Sequence, residues 1–375
     1  MRGKLNIDRE FIAASDRINE DRVVQEQDPL NMDSVFPGIH RANANRNLNE
    51  LIEILITHIP DHKQLASFDE YQSAAAMRDL GILLGSIKKL GVEPVQQVPA
   101  LAHTLQTLGK ATRLPPRDTL IHYTRWNPDG NRLRTYTHLK DEVELIQSVK
   151  ISIYPLYQAI YLITQLNQMP VYDETFVESC YIVEESFAAM VQGIVHARKH
   201  VDPGTFANEL RYYFDPITIN GQEYIGPGAV EMPMFVYDHV LWSADYNNEK
   251  YNAFKETYLP FNQEEIITLY RNTEKSLTGK VINDLNNATS YNRHIHGAAH
   301  AVNNLMLKLK GFRAPHLRVA DNAYRESGDG IHKEEGSGGY APDFLRFIMQ
   351  LNNQATNHLQ SQIAAYEEKW LGSTE

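Results

Sequence analysis

Cysteine is almost missing from this sequence: Cys180 is the only one in 375 residues. That excludes an intramolecular disulfide and any zinc or iron–sulfur centre built on cysteines. A fold without disulfides fits a reducing compartment. Long apolar runs are missing too, and none approaches the ~18–20 residues that cross a bilayer. The N-terminal MRGKLNIDREFIAAS is broken by charges every few residues and has no apolar signal core. The expectation is a cytoplasmic protein with no membrane partner. Basic clusters are absent as well. The formal net charge is -11, and no run of Lys and Arg offers a nucleic-acid surface. No GxxxxGK[ST] phosphate loop occurs. What is present is an ordinary globular composition, 42% hydrophobic, in a chain long enough for one large core and a smaller attached domain.

Helical periodicity dominates. Leu51, Ile54, Leu55 and His58 recur at three- and four-residue steps, as do Phe344, Ile348, Leu351 and Ala355. Periodic runs cover 68–90, 97–111, 139–167, 174–199, 262–285, 289–311 and 341–368, so the fold class is all-α. One β excursion is expected over 217–224, where Asn220-Gly221 is a type I′ hairpin dipeptide. The polar stretch 126–138 contains Asn127-Pro128-Asp129-Gly130, a strong turn signal. It marks a boundary between a smaller N-terminal domain (1–138) and a large helical one (139–375). Residues 327–340, SGDGIHKEEGSGGY, read as a mobile loop between two helices.

Three segments could carry chemistry. In KLKGFRAPHLRVADNAYRES (308–327), His316 follows Pro315, which suits the first turn of a fresh helical segment. Leu317, Ala320 and Ala323 or Tyr324 continue at helical steps. A histidine on a helix that faces an apolar cavity offers a neutral ring nitrogen to iron. Arg313 lies one turn earlier, a cation where a haem edge carries propionates. In HVDPGTFANELRYYFD (200–215), Asp202-Pro203 starts a helix and Phe206 and Leu210 share a face. Arg211, one turn past Phe206 and Ala207, can hold a carboxylate in a bidentate fork while a flat ring packs beside it. The small residues of Tyr224-Ile225-Gly226-Pro227-Gly228-Ala229 permit close approach to a flat ligand. His294, His296 and His300 also cluster, with His296 and His300 four apart on one helix face. No glutamate lies between them as in HExxH, and no carboxylate stands at an obvious third-ligand spacing. They read as polar helix surface.

Five segments in order, LPPRDTLIHY (114–123), HVDPGTFANELRYY (200–213), GPGAVEMPMFVYD (226–238), FRAPHLRVADNAY (312–324) and GSGG (336–339), resemble the indoleamine 2,3-dioxygenase and tryptophan 2,3-dioxygenase haem superfamily. The resemblance is closest to its monodechloroaminopyrrolnitrin synthase-like branch. It implies haem b held by His316, Arg313 at the haem propionates, and Asp238 near that arginine. It places Gly226 and Pro227 against the haem and Gly228 and Ala229 beside the substrate. It assigns the substrate carboxylate to Arg211 and the neighbouring aromatic to Phe206, with Ser337 in a Gly-Ser-Gly-Gly lid (Gly336, Gly338, Gly339) that closes over them. The N-terminal domain would cover the distal side, where His122, Tyr123, Gln147 and Ser148 are all candidates. The implied activity is an oxygenase acting on an indole or other aromatic amino acid, with dioxygen bound at ferrous haem and an electron donor to reduce the iron. Ring rearrangement, tyrosine hydroxylation and a haem sensor without turnover remain alternatives. Pro315, Pro227 and Ala207 depart from the dioxygenase pattern, which weakens cleavage of tryptophan itself as the reaction.

Overall fold

Capping residues and apolar periodicity together fix where the helices run. The computed structural model describes residues 18–325 and 342–372, and the fold is all-α. Six long helices carry it: α1 (Glu70–Lys89), α2 (Ala100–Thr112), α3 (Lys140–Gln168), α4 (Phe176–His200), α5 (Arg293–Arg325) and α6 (Pro342–Leu371). Asp69 opens α1 through a capping box. Its side chain accepts the Gln72 N–H at 2.8 Å while the Gln72 side chain accepts the Asp69 N–H at 3.2 Å. The expected hairpin forms: β1 (Ile217–Ile219) pairs antiparallel with β2 (Gln222–Tyr224). Asn220 and Gly221 both have positive φ, 51° and 81°, as a type I′ turn requires.

Two sequence expectations need correction. The periodic run over 262–285 is not one helix but two, Glu264–Arg271 and Leu277–Asn287. Thr273 donates back to the Leu269 carbonyl at 2.9 Å, and Ser276 accepts the Gly279 N–H at 3.0 Å to start the second helix. Apolar spacing stays in phase across this break, so periodicity alone ran through it. Secondly, Pro315 does not open a fresh segment. It lies inside α5, which also continues well past the expected end at 311. A proline within a helix crowds the carbonyl four residues earlier, here that of Gly311. Gly311 is exposed, and a Cβ there would meet nothing within 4 Å.

Helices α3 and α4 form an antiparallel hairpin with a close seam. Ser152 donates to the Met190 carbonyl at 2.9 Å, and His196 reaches Glu144 at 2.7 Å. A Cβ on Gly193 would fall 1.9 Å from Ser152 Oγ, so only glycine fits there. Helix α5 runs parallel to α4, with Lys308 paired to Glu184 at 2.9 Å and Phe312 edge-on to Phe187 at 5.6 Å. One apolar core is built from α3, α4, α5, α6 and the short helices between residues 234 and 287. A second lies in residues 30–136 and recruits Ile146, Tyr213, Phe214, Ile217 and Ile219 from beyond the 138 boundary. The first described helix, over 18–26, is tied down by Asp21. Its carboxylate takes Arg125 through two contacts of 2.9 Å, Trp126 Nε1 at 2.9 Å and the Tyr154 hydroxyl at 2.6 Å. No helix among the described residues is long and apolar enough to cross a membrane.

Candidate functional site

His316 lies on α5 one turn past Phe312, half-buried, with the Phe312 ring 5.9 Å away. Beyond Phe312 lie Phe187 and Tyr237, stacked at 4.6 Å. Enclosure by protein, then the nearby Arg313 charge, pushes the His316 pKa down to about 4. The imidazole is therefore neutral at pH 7, the form that ligates a metal. Arg313, three residues earlier and buried, pairs with buried Asp238. Asp238 also accepts the Tyr251 hydroxyl. Neither Arg313 Nε nor Asp238 Oδ1 has a hydrogen-bond partner among the described residues. A neutral imidazole, aromatic walls and a buried cation with an unspent donor suit a flat macrocycle with acidic edges. The residues present fit a haem.

Behind this pair the interior stays polar. Buried Lys255 donates to the Ser243 carbonyl at 3.2 Å and lies 3.3 Å from His239 Nδ1, while His239 Nε2 is 3.0 Å from the Thr273 carbonyl. Burial lowers the Lys255 pKa to about 8 and that of His239, with help from Lys255, to about 4. Nothing in the spacing of these residues along the sequence announced this hydrogen-bonded network.

The segment after α4 supplies the second half of the site. Asp202 accepts the Thr205 N–H at 2.7 Å and starts the turn Pro203–Thr205, as expected. A wide π turn, Phe206–Leu210, comes next, closed by the Arg211 N–H on the Phe206 carbonyl, and then a 3-10 turn, Arg211–Phe214. The hydrogen bond stacks the arginine directly on the phenylalanine's peptide. Arg211 is buried, Phe206 partly so, and Ala207 is buried beside it. Both Pro203–Thr205 and Phe206–Leu210 pack against α5, the helix that carries His316.

Residues 226–238 bridge two of the other segments. At one end Asp238 meets Arg313. At the other, Gly226 faces Arg117, whose Nη2 would lie 2.6 Å from any Cβ placed there. Gly226, Pro227 and Gly228 are buried and Ala229 is exposed. Glu231 accepts the Leu120 N–H at 2.6 Å, tying this segment to LPPRDTLIHY. Arg117 pairs with Asp118 at 2.8 Å and donates to the Asp215 carbonyl at 3.1 Å. Arg117 Nη2 and Glu231 Oε1 are buried without hydrogen-bond partners among the described residues. Burial pushes the Glu231 carboxyl well above the usual carboxylate range. Asp118 needs Gly81 opposite, where a Cβ would come within 2.2 Å of its Cγ. Arg117, Asp118 and Glu231 stand inside segments the sequence singled out, although none was marked as functional.

The four distal candidates divide. Tyr123 gives its hydroxyl to Glu142 at 2.8 Å, and Ser148 gives its own to the Leu145 carbonyl at 2.7 Å. Gln147 is exposed on α3. His122 is buried, with Nδ1 accepting the Thr119 N–H at 3.1 Å and the ring edge-on to Trp126 at 4.8 Å. Its Nε2 has no partner among the described residues. Burial, then the Arg78 charge, pushes the His122 pKa to about 3. The Ser337 lid, with Gly336, Gly338 and Gly339, lies outside the described residues.

Three of the five segments thus meet through Glu231 and Asp238, and the turn before Arg211 packs on the helix that carries one of them. Residues 5–369, nearly the whole chain, match the family model described as monodechloroaminopyrrolnitrin synthase PrnB. On that match the chain belongs to the monodechloroaminopyrrolnitrin synthase family, a haem-dependent oxidoreductase family within the indoleamine/tryptophan dioxygenase-like superfamily.

Proposed function

We propose that this chain is a haem b enzyme that oxidises or rearranges an aromatic amino acid, with His316 as the iron ligand and Arg211 holding the substrate carboxylate. The observation that carries the reading is the packing of the Phe206–Leu210 turn, which leads into buried Arg211, against the helix that presents neutral His316. Haem, once reduced, supplies the dioxygen chemistry. The protein's own residues bind and orient. Arg211 fixes the carboxylate and Phe206 lies beside the flat ring, with Gly228 and Ala229 on the substrate side and Gly226 and Pro227 on the haem side of the same turn. Arg313, already paired with Asp238, keeps one donor for a propionate. Ser337 and its glycines would exclude water by closing. An external electron donor would be the partner that keeps bound haem in its ferrous form. The division at residue 138 is read as a domain boundary, and the reading of the compartment stays cytoplasmic, in keeping with a lone, buried Cys180.

The family's name favours a second outcome at the same site, ring rearrangement of a modified tryptophan, and buried Ala207 and Pro227 accord with a ring other than plain indole. The test is an absorption spectrum of the ferrous protein, with and without CO, titrated with L-tryptophan, ring-substituted tryptophans and L-tyrosine. At least one should shift the spectrum and turn over with reductant under labelled dioxygen. Label in the product supports oxygen insertion, and a rearranged product without label supports the second outcome. If no compound binds or reacts, the enzyme reading fails and a haem sensor takes its place.

A further inference from the structure

The first turns of α5 hold a polar cluster for which the haem site has no use. His296 and His300 stand one helical turn apart, and antiparallel α6 brings Glu367 to meet them. His296 Nε2 lies 2.7 Å from Glu367 Oε1, His300 Nε2 lies 3.0 Å from the same oxygen, and the two nitrogens are 3.1 Å apart. The third group that the sequence lacked at any helical spacing is therefore supplied from the other end of a helix hairpin. Tetrahedral zinc, with ligands at roughly 2.0–2.2 Å, sets neighbouring ligand atoms about 3.3–3.6 Å apart. To reach the lower end of that range the triangle must open by about 0.2 Å on its longest edge and about 0.6 Å on its shortest.

We propose that His296, His300 and Glu367 form a surface zinc site, two imidazole nitrogens and one carboxylate oxygen, with the remaining position open to water. Two imidazoles with a carboxylate suit zinc and disfavour magnesium and calcium, which take all-oxygen sets. The surroundings hold the ligands in place. Tyr366, buried, lies near-parallel to the His296 ring at 6.1 Å, and its hydroxyl accepts the Asn292 N–H at 2.7 Å. Asn292 in turn caps α5 by accepting the His294 N–H at 2.8 Å. Without zinc, both imidazoles donate from Nε2 to one carboxylate. Zinc takes those nitrogens as ligands, and each ring keeps its single proton by moving it to Nδ1. For His296 that proton then faces the Tyr291 hydroxyl, 3.3 Å from Nδ1. The site would clamp the start of α5 to the end of α6.

The experiment uses untagged, haem-loaded protein and zinc titrated against a chromophoric chelator, with metal analysis of the dialysed product. One zinc per chain is expected in addition to the iron, and zinc should raise the thermal midpoint. His300→Ala and Glu367→Gln should each weaken zinc roughly tenfold or more, abolish the thermal shift, and leave the haem spectrum unchanged. His294→Ala, outside the trio, should bind zinc as the parent does. Absence of zinc uptake in excess metal would overturn the proposal, as would equal uptake by the parent, His300→Ala and Glu367→Gln, or loss of uptake in His294→Ala.

Discussion

Helix α5 presents histidines at both ends to opposite surroundings. At its start, His296 and His300 face water and a carboxylate. Sixteen residues past His300, about 24 Å along the axis, His316 stands half-buried beside aromatic rings and an arginine. The side chain is the same, and its neighbours decide what it can bind. A carboxylate at hydrogen-bond distance adds a negative ligand and favours a bare cation. An apolar wall with a buried Arg313 favours a flat ligand that brings its own negative charge. The two ends also balance protons differently: at the exposed end the anion supplies the balance, whereas at the enclosed end desolvation keeps the ring neutral.

Breaking the enclosed end should have the largest effect. His316→Ala should abolish the Soret band or leave only loosely held haem, with zinc uptake intact. A histidine-ligated spectrum in that variant would remove His316 from the site. Next, Asp238→Ala leaves the buried Arg313 charge unpaired, a loss of about 3–5 kcal/mol, visible as a lower urea midpoint. An unchanged midpoint would mean the pair contributes little. Arg211→Ala should cost the substrate ~2–5 kcal/mol, roughly thirtyfold or more in affinity, with haem content normal. If affinity for every compound that binds the parent is unaltered, the carboxylate assignment is wrong.

A last test sharpens the contrast through acidity. His122 and His239 are held neutral, with pKa values pushed to about 3 and about 4 against an ordinary 6.5. Their folded pKa values are depressed, so the full stability is present above pH 6.5. Below it the unfolded chain takes up protons that the folded chain refuses. Each histidine then costs about 1.4 kcal/mol per pH unit until its folded pKa is approached. Urea midpoints measured from pH 7 to 4.5 should fall accordingly, and His122→Gln should flatten the slope by about half of the two-histidine share. An unchanged slope in that variant would show that His122 takes its proton without unfolding.

Local signals made much of this legible. Asn220-Gly221 specified its hairpin because both positions need positive φ, and Asp202 specified its turn because the cap needs that carboxylate. The neighbourhood of Arg313 and Asp238, 75 residues apart, was reached through resemblance alone, since no local rule relates them. Tyr251, Lys255 and Glu367 had no sequence signal. Their roles arise from packing between distant helices, which a single sequence does not encode in any short pattern. Pro315 misled because a proline, although it removes one helical hydrogen bond, does not always end the helix that contains it.

The wide turn at Phe206–Leu210 has a consequence for how this chain can change length. A π turn holds one residue more than an α turn over the same hydrogen-bonded loop. Deleting a single residue such as Asn208 would restore ordinary helical closure without any break in the chain. Because the π turn closes from i to i+5 where an α turn closes from i to i+4, Arg211 would still close on the Phe206 carbonyl and keep nearly its present direction. A one-residue deletion is therefore absorbed here, whereas in an ordinary helix it would turn everything after it by about 100°.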